Sequence, residues 1–141
     1  MSNRMTAANL RAFRAADGDN TAKRSYTDRE GPIHKAILEL LDLKLPPFSI
    51  YHHSPNELDM RGPEAARQIA KARNLGTRKG WPDIEIIWQG QAFFIEVKAG
   101  NGPLSADQVA CHQELMEAGA EVALVRSVDD AETALRVWGM T

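Results

Sequence analysis

Two β-rich segments, Asp83 to Trp88 and Ala92 to Lys98, flank the dipeptide Gln89-Gly90, and this local pattern constrains the chain more than any other. A two-residue turn at Gln89-Gly90 pairs Trp88 with Gln91 and, five rungs further back, Asp83 with Glu96. Directly opposed residues of an antiparallel ladder project to one face, so two carboxylates meet. Lys98, two residues beyond Glu96, projects to that face as well. A three-residue turn would undo the arrangement, because a one-residue slip sends one strand's side chains to the opposite face. The register of a single hairpin therefore decides whether the cluster exists.

The rest of the chain supplies helices and strands around this hairpin. Ile33, Ala36, Ile37, Leu40 and Leu41 recur at helical spacing and stop before Pro46-Pro47. Two start signals compete for that helix: the capping-box spacing Thr27-Asp-Arg-Glu30, and Gly31-Pro32, since proline prefers the first helical position. Glu30 stands at the helix entrance either way. Phe48 to His53 reads as a short strand, and Gly62-Pro63 to Leu75-Gly76 as a basic helix with a proline start and a glycine stop. Ser105-Ala-Asp-Gln108 is a capping box opening a helix that stops at Gly119. Glu121 to Arg126 follows as a strand and Asp129 to Trp138 as a last helix. The order α-β-α-β-β-α-β-α predicts an α/β fold, a mixed central sheet flanked by helices. Residues 1–26 show no sustained apolar period and are expected to form a mobile or weakly helical arm ahead of one domain over 27–141.

The 141 residues suffice for a core without disulfide or metal staples. The one cysteine, Cys111, cannot form an internal bridge, and no Cys/His cluster has zinc spacing, which points to a reducing cytoplasm. No stretch has the apolar length of a membrane span, and the first twenty-five residues hold no apolar signal core, so membrane insertion and secretion are not expected. A formal net charge of −2 hides an asymmetry, +5 over residues 1–80 and −7 over 81–141. Arg61, Arg67, Lys71, Arg73, Arg78 and Lys79 fall within nineteen residues that hold a single acid, Glu64. A polyanion can dock on such a segment.

Paired carboxylates at hairpin spacing are ligands for a hard cation, Mg²⁺ or Mn²⁺, which takes carboxylate and carbonyl oxygens and keeps waters for a substrate phosphate. Lys98 beside them can orient the attacking water and offset charge growing on phosphorus. These parts describe a phosphodiester hydrolase, with the basic helix binding the nucleic-acid backbone that an acidic site alone repels. The bland alternative is a solvated Glu-x-Lys pair on a strand and a Pro-Asp turn, a combination expected by chance in roughly a few per cent of chains this long.

Gly80-Trp81-Pro82-Asp83, then Phe94-Ile95-Glu96-Val97-Lys98, then Gly102-Pro103-Leu104-Ser105 with Gln108, stand in one order. This arrangement resembles the virus-type replication-repair nuclease (VRR-NUC) domain of the PD-(D/E)xK superfamily. The similarity extends through Ala118-Gly119-Ala120 and Val125-Arg126-Ser127, and upstream through Pro55-Asn56 and the helix from Glu30, over residues 27 to 130. The resemblance implies a restriction-endonuclease-like core and metal-dependent DNA cleavage. It implies Asp83, Glu96 and the Val97 main-chain carbonyl as metal ligands and Lys98 as catalytic base or charge stabiliser. Glu30 matches the family's acid on the first helix, holding metal through water. Gln108 matches its glutamine near the site, placed to position the lysine or a phosphate. Asn56 joins the DNA-binding residues. Small members of the family act as homodimers on branched DNA, which makes a Holliday junction the expected substrate. The chain departs from the family pattern at Gly31-Pro32, directly after Glu30, and at Asn56-Glu57, where a glycine-rich continuation is usual.

Other candidates weigh less. His52-His53 has no second histidine at the spacing of a ββα-metal nuclease. His34 and His112 read as partly buried or surface imidazoles on helices, Cys111 has no adjoining base, Glu85 reads as a solvated strand residue, and Trp81 as packing. The rival function is a catalytically silent DNA-binding module of the same fold.

Overall fold

The computed structural model describes residues 28–54 and 63–141. The expected arm over 1–26, Asn56 and Arg61 lie outside the described residues. The elements are α1 (Glu30–Lys44), β1 (Ile50–His53), α2 (Pro63–Asn74), β2 (Ile84–Trp88), β3 (Gln91–Val97), α3 (Ala106–Glu117), β4 (Glu121–Val125) and α4 (Val128–Val137). The four strands form one sheet in the order β1-β2-β3-β4, antiparallel up to β3 and parallel between β3 and β4. This is the mixed sheet flanked by helices that the sequence predicts.

The hairpin adopts the two-residue turn. Gln89 and Gly90 both have positive φ, 50° and 73°, as a type I′ turn requires. Trp88 opposes Gln91 and Ile84 opposes Ile95, so the register is the one that brings Asp83 and Glu96 together. Alternation then sorts the side chains. Ile84, Ile86, Phe93, Ile95 and Val97 pack with Ile37, Leu40 and Leu41 of α1 and Ala131 and Leu135 of α4 in one buried cluster. Each such side chain withdrawn from water contributes roughly 1.5–3 kcal/mol. β3 is buried on both faces, and its other face carries Phe94 and Glu96 at 2% exposure each. Trp81 stacks edge-on against Phe94, ring centroids 5.3 Å apart, the packing role expected of it.

α1 starts at Glu30, its N-cap residue Arg29 makes no side-chain capping hydrogen bond, and Thr27 lies outside the described residues. Asp28 Oδ1 accepts a hydrogen bond of 2.8 Å from the Gly31 N–H. Pro32 falls in the first turn, where the missing N–H has no helical partner to lose, so Gly31-Pro32 is compatible with Glu30 inside the helix. β1 is shorter than predicted, beginning at Ile50. Phe48 has a φ of 63°, and a residue in the left-handed region cannot continue a strand. No helix among the described residues is long and apolar enough to cross a membrane.

Candidate active site

The chain enters β2 through Gly80-Trp81-Pro82, and Gly80 holds a φ of +83° with its α-carbon against the backbone of Asp107 and Gln108. Only glycine permits both the conformation and the approach, and the contact fixes the approach to Asp83 against the first turn of α3. Asp83 then faces two ways. Its carbonyl accepts from the Ser54 N–H at 2.8 Å, while its carboxylate Oδ2 accepts from the Val97 N–H at 2.8 Å. The side chain thus extends the β2–β3 ladder by one rung beyond Ile84.

Glu96 lies between these elements and α3. Gln108 Nε2 donates to Glu96 Oε1 at 2.9 Å, and His112 Nε2 lies 3.2 Å from Glu96 Oε2. The capping box at Ser105 fixes the orientation of the glutamine: Ser105 Oγ accepts from the Gln108 N–H at 3.2 Å, and Gln108 Oε1 accepts from the Ser105 N–H at 2.9 Å. With its oxygen committed to a backbone donor, the amide must present its NH₂ to Glu96. Gln108 therefore holds the Glu96 carboxylate. His112, read from sequence as a partly buried or surface residue, is 5% exposed and sits on the same carboxylate. The signal was available, since His112 follows Gln108 by four residues and so shares its helix face.

Burial, then repulsion from the Asp83 carboxylate and a hydrogen bond that the protonated Glu96 donates to it, push the Glu96 pKa up to about 9, with Lys98 opposing and Glu30 adding. These causes place Asp83, Lys98 and Glu30 within electrostatic reach of Glu96. Burial likewise pushes His112 down to about 4, opposed by Asp83 and helped by Lys98, so its imidazole is neutral at neutral pH. Arg126 Nη1 donates to the carbonyls of Gly100 and Gly102 at 2.7 and 2.9 Å, tying down the loop that follows Lys98.

The donor set fits a hard divalent cation. A buried carboxylate beside a second one is costly to ionise, and a cation between them removes that cost. Among the described residues no group of three or more His, Cys, Asp or Glu side chains forms a metal cage. Two carboxylates side by side, Asp83 and Glu96, are instead an open set of the kind that a hard cation completes with water.

The basic residues divide. Arg67, Lys71 and Arg73 are exposed on α2. Arg78 makes a two-pronged contact with Glu114 at 3.0 and 2.6 Å, and Lys79 Nζ lies 3.1 Å from Asp107 Oδ2. Both pairs join the segment before β2 to α3, so these two cations are engaged with acids rather than presented alone.

The VRR-NUC domain family's profile matches residues 30–129. The chain belongs to the VRR-NUC family. Among solved structures, a VRR-NUC domain protein shares the fold with a TM-score of 0.62 at 18% identity, over 82% of this chain and 93% of its own. A second VRR-NUC domain aligns with a TM-score of 0.52 at 20% identity, over 78% of this chain and 97% of its own. No curated protein matches the chain. VRR-NUC membership gives the protein a nuclease-type fold, and Asp83, Glu96 and Lys98 stand where its sheet, its hairpin and α3 converge.

Proposed function

We propose that this VRR-NUC domain is a Mg²⁺- or Mn²⁺-dependent deoxyribonuclease that hydrolyses phosphodiester bonds in branched DNA, Holliday junctions included, as a homodimer in the cytoplasm. The observation that carries this reading is Glu96, a buried carboxylate beside Asp83, held by α3 and within reach of Lys98. In this reading residues 27–141 constitute the nuclease domain and residues 1–26 an arm outside it.

Asp83, Glu96 and the Val97 carbonyl would hold the cation, with Glu30 contributing through water. Bound there, it would supply Lewis-acid charge compensation. Lys98 orients the attacking water and offsets charge developing on the phosphate. Gln108 fixes the Glu96 carboxylate. Arg67, Lys71 and Arg73, with Arg61 and Asn56 of the adjoining segment, contact the DNA backbone. Exposed ion pairs are worth little, so a phosphate can recruit Arg78 and Lys79 from their acids. Resolution of a four-way junction needs two coordinated cuts, hence two copies. Phe48 and Ile50, 102% and 69% exposed at the edge strand, offer apolar surface for pairing.

The test is cleavage of single-stranded, linear duplex, flap and four-way-junction DNA by wild type and Lys98→Ala with Mg²⁺, Mn²⁺ or EDTA. Cation- and Lys98-dependent cutting concentrated on the junction, by a protein that sediments as a dimer, is the expected result. DNA binding that is unaffected by EDTA and unaccompanied by cleavage would instead identify a silent binding module.

A further inference from the structure

Glu96 is a long side chain with three rotatable bonds, and a cation ligand of that kind is useful only when its carboxylate is held in one orientation. One hydrogen bond leaves the group free to rotate about that bond, whereas two, one to each oxygen, fix its plane. α3 provides both. Gln108 reaches Oε1 at 2.9 Å and His112 reaches Oε2 at 3.2 Å, from positions one turn apart on one helix face. The second contact is more enclosed than the first, which is part-buried, with the His112 side chain 7% and the Glu96 side chain 2% exposed. A carboxylate offers about four lone-pair directions. With two of them occupied by α3, the remainder are left for whatever lies on the Asp83 side. The helix is in turn fixed to the Asp83 approach by the Gly80 contact, so the clamp and the second carboxylate share one rigid frame.

We infer that His112 is a positioning residue for Glu96, the second jaw of a clamp that sets the orientation in which this carboxylate meets a divalent cation. The inference rests on the proposed cation-dependent reading of the site. It requires a neutral ring whose Nε2–H donates to the carboxylate, so a side chain that supplies a donor at the Nε2 position should replace it. Glutamine does so, because its amide nitrogen reaches about as far as Nε2. Asparagine stops near the position of Nδ1, and leucine fills space without donating.

The experiment measures Mn²⁺ affinity of the full chain by calorimetry for wild type, His112→Gln, His112→Asn and His112→Leu, with Asp83→Asn as the control that removes a proposed ligand. Circular dichroism of each metal-free protein establishes that it is folded at the titration temperature. The expected result is a loss of roughly ten- to a hundredfold in affinity for His112→Asn and His112→Leu, the range for partners of metal ligands, with His112→Gln retaining affinity close to wild type. Packing alone would not move the affinity of folded variants in this order. Unchanged affinity in folded His112→Asn overturns the inference, even where His112→Leu fails to fold. Equal losses in His112→Asn and His112→Gln overturn it too. Wild type that binds no Mn²⁺, indistinguishable from Asp83→Asn, overturns the cation-dependent reading itself and takes this inference with it.

Discussion

The Asp83 carboxylate accepts a hydrogen bond from the Val97 N–H at 2.8 Å, and Val97 ends β3 between Glu96 and Lys98. The acid at the entrance to β2 is thereby fastened to the strand that carries the other two charged groups. Nothing in an isolated Pro-Asp dipeptide requires this, since the acceptor is a side chain that takes the place of a ladder carbonyl.

Two substitutions separate the structural and the electrostatic parts of this contact. Asp83→Ala leaves the Val97 N–H without its acceptor and should cost about 1–3 kcal/mol of stability. Asp83→Asn keeps an acceptor oxygen for the Val97 N–H and removes the charge that holds Glu96 protonated, so in EDTA it should lose less stability than Asp83→Ala. Both should lose cation affinity and cleavage. Urea unfolding with and without Mn²⁺ checks the pair, and an Asp83→Asn protein no more stable than Asp83→Ala in EDTA would contradict it.

Gln108 joins the capping box of α3 to the Glu96 contact. Gln108→Glu retains an oxygen for the Ser105 N–H but turns a second carboxylate toward Glu96, whereas Gln108→Ala loses both contacts. Loss of the box in Gln108→Ala should cost about 1 kcal/mol. Gln108→Glu should keep most of the helix cap yet cleave at least tenfold more slowly. Thermal melts and initial rates at saturating Mg²⁺ read the two effects independently.

Without a divalent cation, stability should fall as pH rises from about 6.5 to 9. The Glu96 pKa is raised from 4.5 to about 9 in the fold, so its contribution is present in full below 4.5 and is lost as pH rises through 9. The His112 pKa is lowered from 6.5 to about 4, so its contribution is present above 6.5 and is lost as pH falls toward 4. The two oppose each other between about 4.5 and 6.5, and above 6.5 only Glu96 acts, with a slope of at most about 1.4 kcal/mol per pH unit. Melting temperatures in EDTA across this range test the slope, which Glu96→Gln should flatten. Because cation binding requires the ionised carboxylate, the rise in melting temperature on adding Mn²⁺ should be larger at pH 9 than at pH 6.5.

Gly80 and Gly76 make a matched comparison, with φ values of +83° and +89°. A methyl group at Gly80 meets the Asp107 carbonyl and the Gln108 nitrogen, whereas one at Gly76 meets nothing within 4 Å. Gly76→Ala should cost only the conformational penalty, about 1 kcal/mol. Gly80→Ala should cost more than about 2 kcal/mol, because α3 must move away from the approach to Asp83. Comparable urea midpoints for the two variants would show that the Gly80 contact yields without cost.

The order of elements, the hairpin register and the α3 capping box were legible in the residues, because each depends on contacts close in sequence. Alternation along Asp83–Trp88 and Ala92–Lys98, with Gln89-Gly90 between them, leaves one turn that keeps Ile84, Ile86 and Ile95 on a single face, and that turn aligns Asp83 with Glu96. Ser105 and Gln108 are likewise three residues apart and find each other without the rest of the chain.

Two departures were local: Asp28 rather than Thr27 or Pro32 supplies the hydrogen bond seen at the start of α1, and the backbone of Phe48 shortens β1 by two residues. What else the sequence left open depended on contacts across long separations. Gln108 meets Glu96 across twelve residues and His112 meets it across sixteen. Periodicity could place each of these residues on a helix face but could not say that the face closes over β3, nor that Arg78 and Lys79 would reach acids on α3. Local hydrogen bonding and side-chain alternation determined by themselves which carboxylates share a face. Only the packing of α3 against the sheet decided that one of them is buried, held at both oxygens and costly to ionise, because desolvation exists only once the second layer is in place.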